Sequence, residues 1–153
     1  IAVTKWDLIW DKPKTLDDLK QKCEELLPQA RGIPMVAISG MQGRNIDRLM
    51  SAIFAIERSW NTHLSTAKLN RWLGAVVERH PPPAVSGRRL KLRYMTQAKM
   101  RPPSFIIFAS RSDAVPTSYM RYLTNSMRET FDMPGTPIRL WLRSGKNPYA
   151  KAE

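Results

Sequence analysis

An α/β layer followed by an α+β unit of order α-β-β-α-β is predicted by three patterns in the sequence. Apolar runs at residues 1–3 and 35–39 are each followed by helical periodicity, the mark of a parallel sheet with crossover helices. Residues 90–97 and 138–143 alternate apolar with polar, as half-buried strands do. Residues 105–109 are apolar on both faces, which suits the central strand of a sheet.

In chain order, Ile1, Ala2 and Val3 form the first strand. The chain has no methionine at its start and opens inside a strand, so a piece of a longer protein is expected. Residues 10–14, with Pro13, read as turn. Thr15, Leu16, Asp17 and Asp18 form a capping-box pattern, with Asp18 in place of the usual Glu. Leu16, Leu19, Cys23, Leu26 and Leu27 follow at helical spacing, and Pro28 and Gly32 end that helix. After the strand at 35–39, Asn45 can cap a helix with Ile46, Leu49, Met50, Ile53 and Ile56 on one stripe. Composition then shifts near Trp60. Ser65 caps a helix carrying Leu69, Trp72, Leu73, Val76 and Val77, which His80-Pro81-Pro82-Pro83 stops. Leu90, Leu92, Tyr94 and Thr96 are expected to face inward, with Lys91, Arg93, Met95 and Gln97 outward, giving a strand with a basic outer face. A strand at 104–110 follows. Pro116 fits the first turn of a helix carrying Tyr119, Tyr122, Leu123, Ser126, Met127 and Thr130. Pro134 and Gly135 make a turn, and Ile138, Leu140 and Leu142 alternate with Arg139, Trp141 and Arg143 in a last strand. The expected division is 1–62, 63–145 and a loose tail at 146–153.

Composition limits the function. Hydrophobic residues at 42% and charged residues at 25% exclude a mainly disordered chain. A lone cysteine, Cys23, excludes an intramolecular disulfide framework and fits a reducing cytoplasm. No apolar run exceeds five residues and no secretory leader pattern opens the chain, so no membrane role is expected. The charge is +12, from 25 Lys+Arg against 13 Asp+Glu. It is uneven: residues 1–60 hold nine basic and eight acidic side chains, residues 61–153 sixteen and five. An excess of this size on one half attracts polyanions, nucleic acid above all.

Thr4-Lys5-Trp6-Asp7 closes the first strand, and ligands of open α/β sheets bind outside the carboxyl ends of strands. A carboxylate at Asp7 can accept from both the N1–H and the 2-amino group of guanine, a donor pair that adenine lacks. Lys5 can lay its aliphatic stem on the purine face. Ser39 and Gly40 close the next strand, and their backbone N–H groups can donate to the guanine O6. Trp6 is open to two readings, exposed beside the base or packed under the loop.

A Thr-Lys-x-Asp tetrapeptide, a strand ending Ser39-Gly40, and Gly43-Arg44-Asn45-Ile46 opening a helix together resemble the last third of a P-loop GTPase domain. Thr4 stands where that family has Asn, and Gly40-Met41 where it has Ala-Lys. Leu69-Asn70-Arg71-Trp72-Leu73, His80-Pro81-Pro82-Pro83, Arg101-Pro102-Pro103, Tyr119-Met120-Arg121-Tyr122-Leu123, Pro137-Ile138-Arg139-Leu140 and Gly145-Lys146-Asn147-Pro148-Tyr149 resemble the C-terminal region of the Der (EngA) family, tandem GTPase domains followed by a KH-like domain. The resemblance spans essentially the whole chain. It implies that residues 1–62 end a Rossmann-like P-loop GTPase domain, with a KH-like domain at 63–145. It further implies GTP/GDP as ligand, with Mg in the intact protein, and GTP hydrolysis. The partners it implies are upstream GTPase domains, ribosomal RNA and the 50S ribosomal subunit in bacteria. Thr4, Lys5, Asp7, Ser39 and Gly40 would bind the nucleotide.

The chain contains no Gly-x-x-x-x-Gly-Lys-Ser/Thr phosphate loop, so it is not expected to hydrolyse GTP alone. A sheet edge should be open where the rest of the GTPase layer belongs. Its one Gly-x-x-Gly, Gly40 to Gly43, lies in the GTPase-like half and not where a KH module clamps a nucleic-acid backbone. RNA contact would therefore use another surface, for which Arg88, Arg89, Lys91, Arg93, Lys99 and Arg101 are the candidates. The alternative for these charges is docking on acidic patches of neighbouring GTPase domains. His63 and His80 lack partners at metal spacing, so no zinc site is expected. Cys23 and most methionines and tryptophans fall at core spacing.

Overall fold

The structure, a computed structural model, describes residues 1–84 and 90–144. The first part is a two-stranded parallel sheet, β1 (Ala2–Val3) and β2 (Val36–Ala37), with helices α1 (Lys12–Leu26) and α2 (Ile46–Trp60). The second part runs α3 (Thr66–Arg79), β3 (Leu92–Lys99), β4 (Ser104–Ala109), α4 (Thr117–Thr130) and β5 (Arg139–Ser144). Its sheet has the order β3-β4-β5, with β3 antiparallel and β5 parallel to the central β4. The α-β-β-α-β expectation therefore holds, and the doubly apolar segment is the middle strand.

Local starts differ from the expected ones in places. Helix α1 begins earlier than the Thr15 pattern suggests. Asp11 is its cap, accepting from the Lys14 N–H at 3.1 Å, and Pro13 sits in the first turn, where its missing N–H costs nothing. The Thr15 hydroxyl donates to the Asp11 carbonyl at 2.7 Å instead of capping. Asn45 precedes α2 at φ 61° without a side-chain cap; its Nδ2 donates to the Ala37 carbonyl of β2 at 2.8 Å. Pro116 is the cap residue of α4, in extended backbone, one position before the first turn. Ser65 does cap α3, accepting from the Lys68 N–H at 3.3 Å.

Strand β3 departs most from its expected phase. Leu92 pairs with Ala109 but Tyr94 pairs with Phe108, so Arg93 is an extra residue; Ala98 is extra in the same way between Gln97 and Lys99. The first bulge turns Tyr94 outward and drives Met95 fully inside. The inner face of the sheet, with Met95, Phe105 and Ile107, packs on Leu69, Leu73 and Val76 of α3 and Leu123 and Met127 of α4. Each such side chain contributes roughly 1.5–3 kcal/mol on leaving water.

As an edge strand, β3 needs partners for its outer backbone groups. Asn70 of α3 supplies them: its Oδ1 accepts from the Met95 N–H at 2.8 Å and its Nδ2 donates to the Met95 carbonyl at 2.9 Å. Gln97 grips the linker after α2 similarly, donating to the Thr62 carbonyl at 2.9 Å and accepting from the Leu64 N–H at 2.8 Å.

The two parts meet along a polar seam. The Gly135 N–H donates to the Arg31 carbonyl at 2.9 Å, and the buried hydroxyls of Ser59 and Thr136 lie 2.7 Å apart. The seam does not cover the apolar stripe of α2. Met50 is 42% and Ile53 48% exposed, while Leu49 and Ile56 are half-buried, because β1 and β2 are too short to cover the stripe. Cys23 is half-buried on α1, outside the main core. Of the tryptophans only Trp72 is buried; Trp10 is fully exposed, and Trp60 and Trp141 are partly so.

Candidate functional site

Parallel pairing of β1 with β2 brings two loops to one end of the sheet. The Ile38 N–H donates to the Val3 carbonyl at 2.8 Å, and the Trp6 N–H returns to the Ile38 carbonyl at 3.1 Å. These bonds place Asp7 beside Ser39, two of the residues expected to bind the nucleotide. Lys5 occupies left-handed backbone at φ 54°, a conformation that costs a non-glycine residue roughly 1–2 kcal/mol. It throws the chain into the short turn Trp6–Leu8 that carries Asp7.

The Ser39 hydroxyl, first among the causes, holds the Asp7 carboxyl below its ordinary value of 3.8. The residue's own backbone N–H acts the same way, slight desolvation opposes it, and the charge of Lys12 assists. Asp7 is thus an ionised acceptor at neutral pH. Ser39 is 1% exposed and its hydroxyl also accepts from the Gln42 N–H at 3.3 Å.

The turn after β2 corrects one expectation. The Ser39 N–H is engaged with the Arg44 carbonyl at 3.3 Å, and Arg44 returns a bond to the Ser39 carbonyl at 3.0 Å. The Ser39 backbone therefore closes its own turn; of the expected N–H pair, Gly40 keeps a free donor among the described residues. Thr4, Lys5 and Gly40 are exposed, Met41 is 90% exposed, and Trp6 is half-buried, between its two expected positions.

The basic residues do not form one patch. Lys91 and Arg93 are exposed at one end of β3, Lys99 and Arg101 at the other. Arg101 donates through Nε to the Asn61 side chain behind α2, so it belongs to the linker. Arg88 and Arg89 lie outside the described residues. The sheet's outer face adds groups outside the expected basic set. Strand register aligns Tyr94, Phe108 and Arg143 in one row and Thr96, Ile106 and Trp141 in the next, with exposed Arg139 beside them on β5. Tyr94 and Phe108 contact each other with ring centroids 5.9 Å apart, and Trp141 is 44% exposed. Arginines interleaved with open aromatic rings are what single-stranded nucleic acid stacks on. The alternation of Arg139, Trp141 and Arg143 was visible in the sequence; their alignment with Tyr94 and Phe108 needed the register.

Among the described residues, no three His, Cys, Asp or Glu side chains gather to hold a metal, and no helix is long and apolar enough to cross a membrane.

Residues 63–143 match the family described as the KH-domain-like region of EngA bacterial GTPase enzymes, C-terminal. The chain is 56% identical over 150 residues to GTPase Der of Bradyrhizobium sp. strain BTAi1, covering 98% of this chain and 33% of that protein. It is 56% identical over 150 residues to GTPase Der of Mesorhizobium japonicum, with 98% of this chain and 31% of the relative covered. It is 57% identical over 150 residues to GTPase Der of Brucella suis, again with 98% and 31% covered. The chain spans about a third of the length of the curated relatives it matches.

Proposed function

The chain belongs to the Der (EngA) GTPase family as its C-terminal portion, and we propose that it supplies the base-reading loops and the RNA contact of a bacterial cytoplasmic GTP-binding protein that acts in assembly of the large ribosomal subunit. The observation that carries the nucleotide half is the meeting of Asp7 and Ser39 beyond the carboxyl ends of two parallel strands. In this reading residues 1–62 close a P-loop GTPase domain and residues 63–145 are the KH-like domain.

The residues present fit the guanine end of GTP. An ionised Asp7 accepts from N1–H and the 2-amino group, and the Gly40 N–H donates to O6. The stem of Lys5 covers the ring, and Thr4 is the first residue of the motif. Adenine offers Asp7 no matching donor pair, so the preference for guanine resides in this chain. GTP, when bound, supplies the phosphoryl group. No phosphate loop or magnesium-binding group stands in this sequence, so hydrolysis is assigned to the longer protein and the chain alone is inactive. A chimaera in which this chain replaces the matching third of the Bradyrhizobium relative should hydrolyse GTP and prefer it to ATP. Equal use of the two nucleotides, or no binding, would defeat the reading.

Ribosomal RNA is assigned to the open face of the KH-like sheet, with Lys91, Arg93, Arg139 and Arg143 on phosphates and Tyr94 and Trp141 stacking on bases. Arg88 and Arg89 extend the same basic segment in sequence, whereas Arg101 bonds Asn61 of the linker and Lys99 lies at that same end of β3. Filter binding of ribosomal RNA at several salt concentrations tests it, since each phosphate contact removed lowers the salt slope by about one. A flat response to salt would place protein, and not RNA, on this face.

A further inference from the structure

A cleft of about 380 Å³ lies between the end of α1 and the side of α4, apart from both the base-reading loops and the open sheet face. Arg31, from the segment before β2, and Arg121 and Arg128, from α4, line it together with Thr124 and Asn125. Glu24 is the one carboxylate in the lining. It pairs with none of them, because the single ion pair among the described residues joins Lys20 to Asp17.

Arg128 is 7% exposed, yet its charge meets only neutral acceptors. Its Nη1 donates to Asn125 Oδ1 at 3.1 Å, and its Nη2 to the carbonyls of Gln29 at 2.8 Å and Thr136 at 3.4 Å. Its Nε is buried and has no acceptor among the described residues. Burying a guanidinium without a counter-charge is costly, and a second positive charge beside it adds to the cost. Desolvation, and then the neighbouring Arg31, lower the pKa of Arg128 from its ordinary value. An oxyanion would relieve this cost: Arg31 and Arg121 are exposed arms, Arg128 is a fixed floor, and Thr124 and Asn125 add a hydroxyl and an amide. A cleft of this size is on the scale of small-ligand sites, roughly 300–1,000 Å³.

We propose that this cleft is a phosphate-binding site built across the seam, in which Arg31, Arg121 and Arg128 together hold a phosphoryl oxyanion. Because Arg31 comes from one part and the other two from the other, the bound anion ties the GTPase-like part to the KH-like part. Its source is either a free phosphate ester or the phosphate of an RNA backbone, which offer the same oxygens.

Isothermal titration of inorganic phosphate into the 153-residue protein, at ionic strength held constant with chloride, tests the site. Saturable binding to one site is expected. Arg31→Gln or Arg121→Gln should each weaken it about ten-fold or more, the scale of a lost charge-assisted hydrogen bond. Both side chains are exposed, so the far-UV spectrum should not change. A parallel titration with tetrauridylate separates the sources: competition with phosphate, lost in the same variants, identifies the RNA backbone. Phosphate binding without tetrauridylate binding identifies a free ester. No saturable phosphate binding, equal binding in both variants, or preference for a polyglutamate peptide over phosphate would overturn the proposal.

Discussion

Replacing Gly135 by alanine should weaken the protein far more than any other glycine substitution at a left-handed position. Gly135 is buried at φ 65°, and a Cβ built there would meet the Ile33 Cα at 2.6 Å, with two Ile33 side-chain atoms at 3.1 and 3.2 Å. Left-handed backbone alone costs an alanine roughly 1–2 kcal/mol. Carbon atoms pack at about 3.5–4.0 Å, so the Ile33 backbone must withdraw by about 1 Å. That withdrawal is overpacking, worth roughly 1–3 kcal/mol. It also strains the Gly135–Arg31 hydrogen bond of 2.9 Å, worth about 0.5–1.5 kcal/mol. The sum is about 2.5–6.5 kcal/mol. Two glycines calibrate it. Gly43, at φ 63°, has nothing within 4 Å of its Cβ position, and Gly32, at φ 78°, meets Pro134 Cβ at an ordinary 3.4 Å. Both should lose about 1–2 kcal/mol, the conformational part alone. Urea midpoints by far-UV circular dichroism and tryptophan fluorescence measure the difference. A Gly135→Ala loss no larger than that of Gly43→Ala would refute the close approach of the two parts at this seam.

Three further outcomes follow from local contacts. Ser39→Ala should raise the Asp7 pKa toward 3.8, read by carboxyl-carbon NMR; an unchanged value would separate the two side chains. Asp7 is depressed in the folded state, so its contribution is present above the unfolded value and lost as pH falls through the folded one. Tyr119 behaves in the opposite sense, because burial, aided by Tyr122, pushes its phenol up to about 12. The unfolded chain releases that proton near 10, so stability should be full below pH 10 and decline between 10 and about 12, with absorbance at 295 nm reporting the late ionisation. Asn70→Ala strips both partners from the Met95 backbone at the edge of β3 and should cost about 1–3 kcal/mol, with faster hydrogen exchange at the Met95 amide.

The order of elements was legible because each rests on local periodicity, as in the doubly apolar β4 and the Ser65-capped α3. Phase along β3 was not. A bulge is a property of a pair of strands, and nothing in Leu92-Arg93-Tyr94 shows that β4 advances one residue while β3 advances two. The inner residue is consequently Met95, and the aromatic Tyr94 joins the outer face. The start of α1 was misplaced because Pro13 reads as a breaker unless Asp11 is seen capping the turn that contains it. Asp7 and Ser39 could each be singled out from their motifs at strand ends, but their meeting, and the engagement of the Ser39 N–H by Arg44, needed the folded chain. The arginine cleft left no trace in the sequence at all. Its members come from segments far apart, and only the folded chain strands the buried Arg128 charge beside Arg31.

In the proposed function, the carboxylate of Asp7 selects guanine. Asp7→Asn in the Bradyrhizobium chimaera tests it most directly, with GTP and xanthosine triphosphate titrated against wild type and variant. An amide at this position donates where the carboxylate accepts, and xanthine carries a 2-oxo acceptor where guanine carries a 2-amino donor. GTP binding should fall, xanthosine triphosphate binding should rise and the preference should invert. A variant that still prefers GTP as strongly as wild type would contradict it.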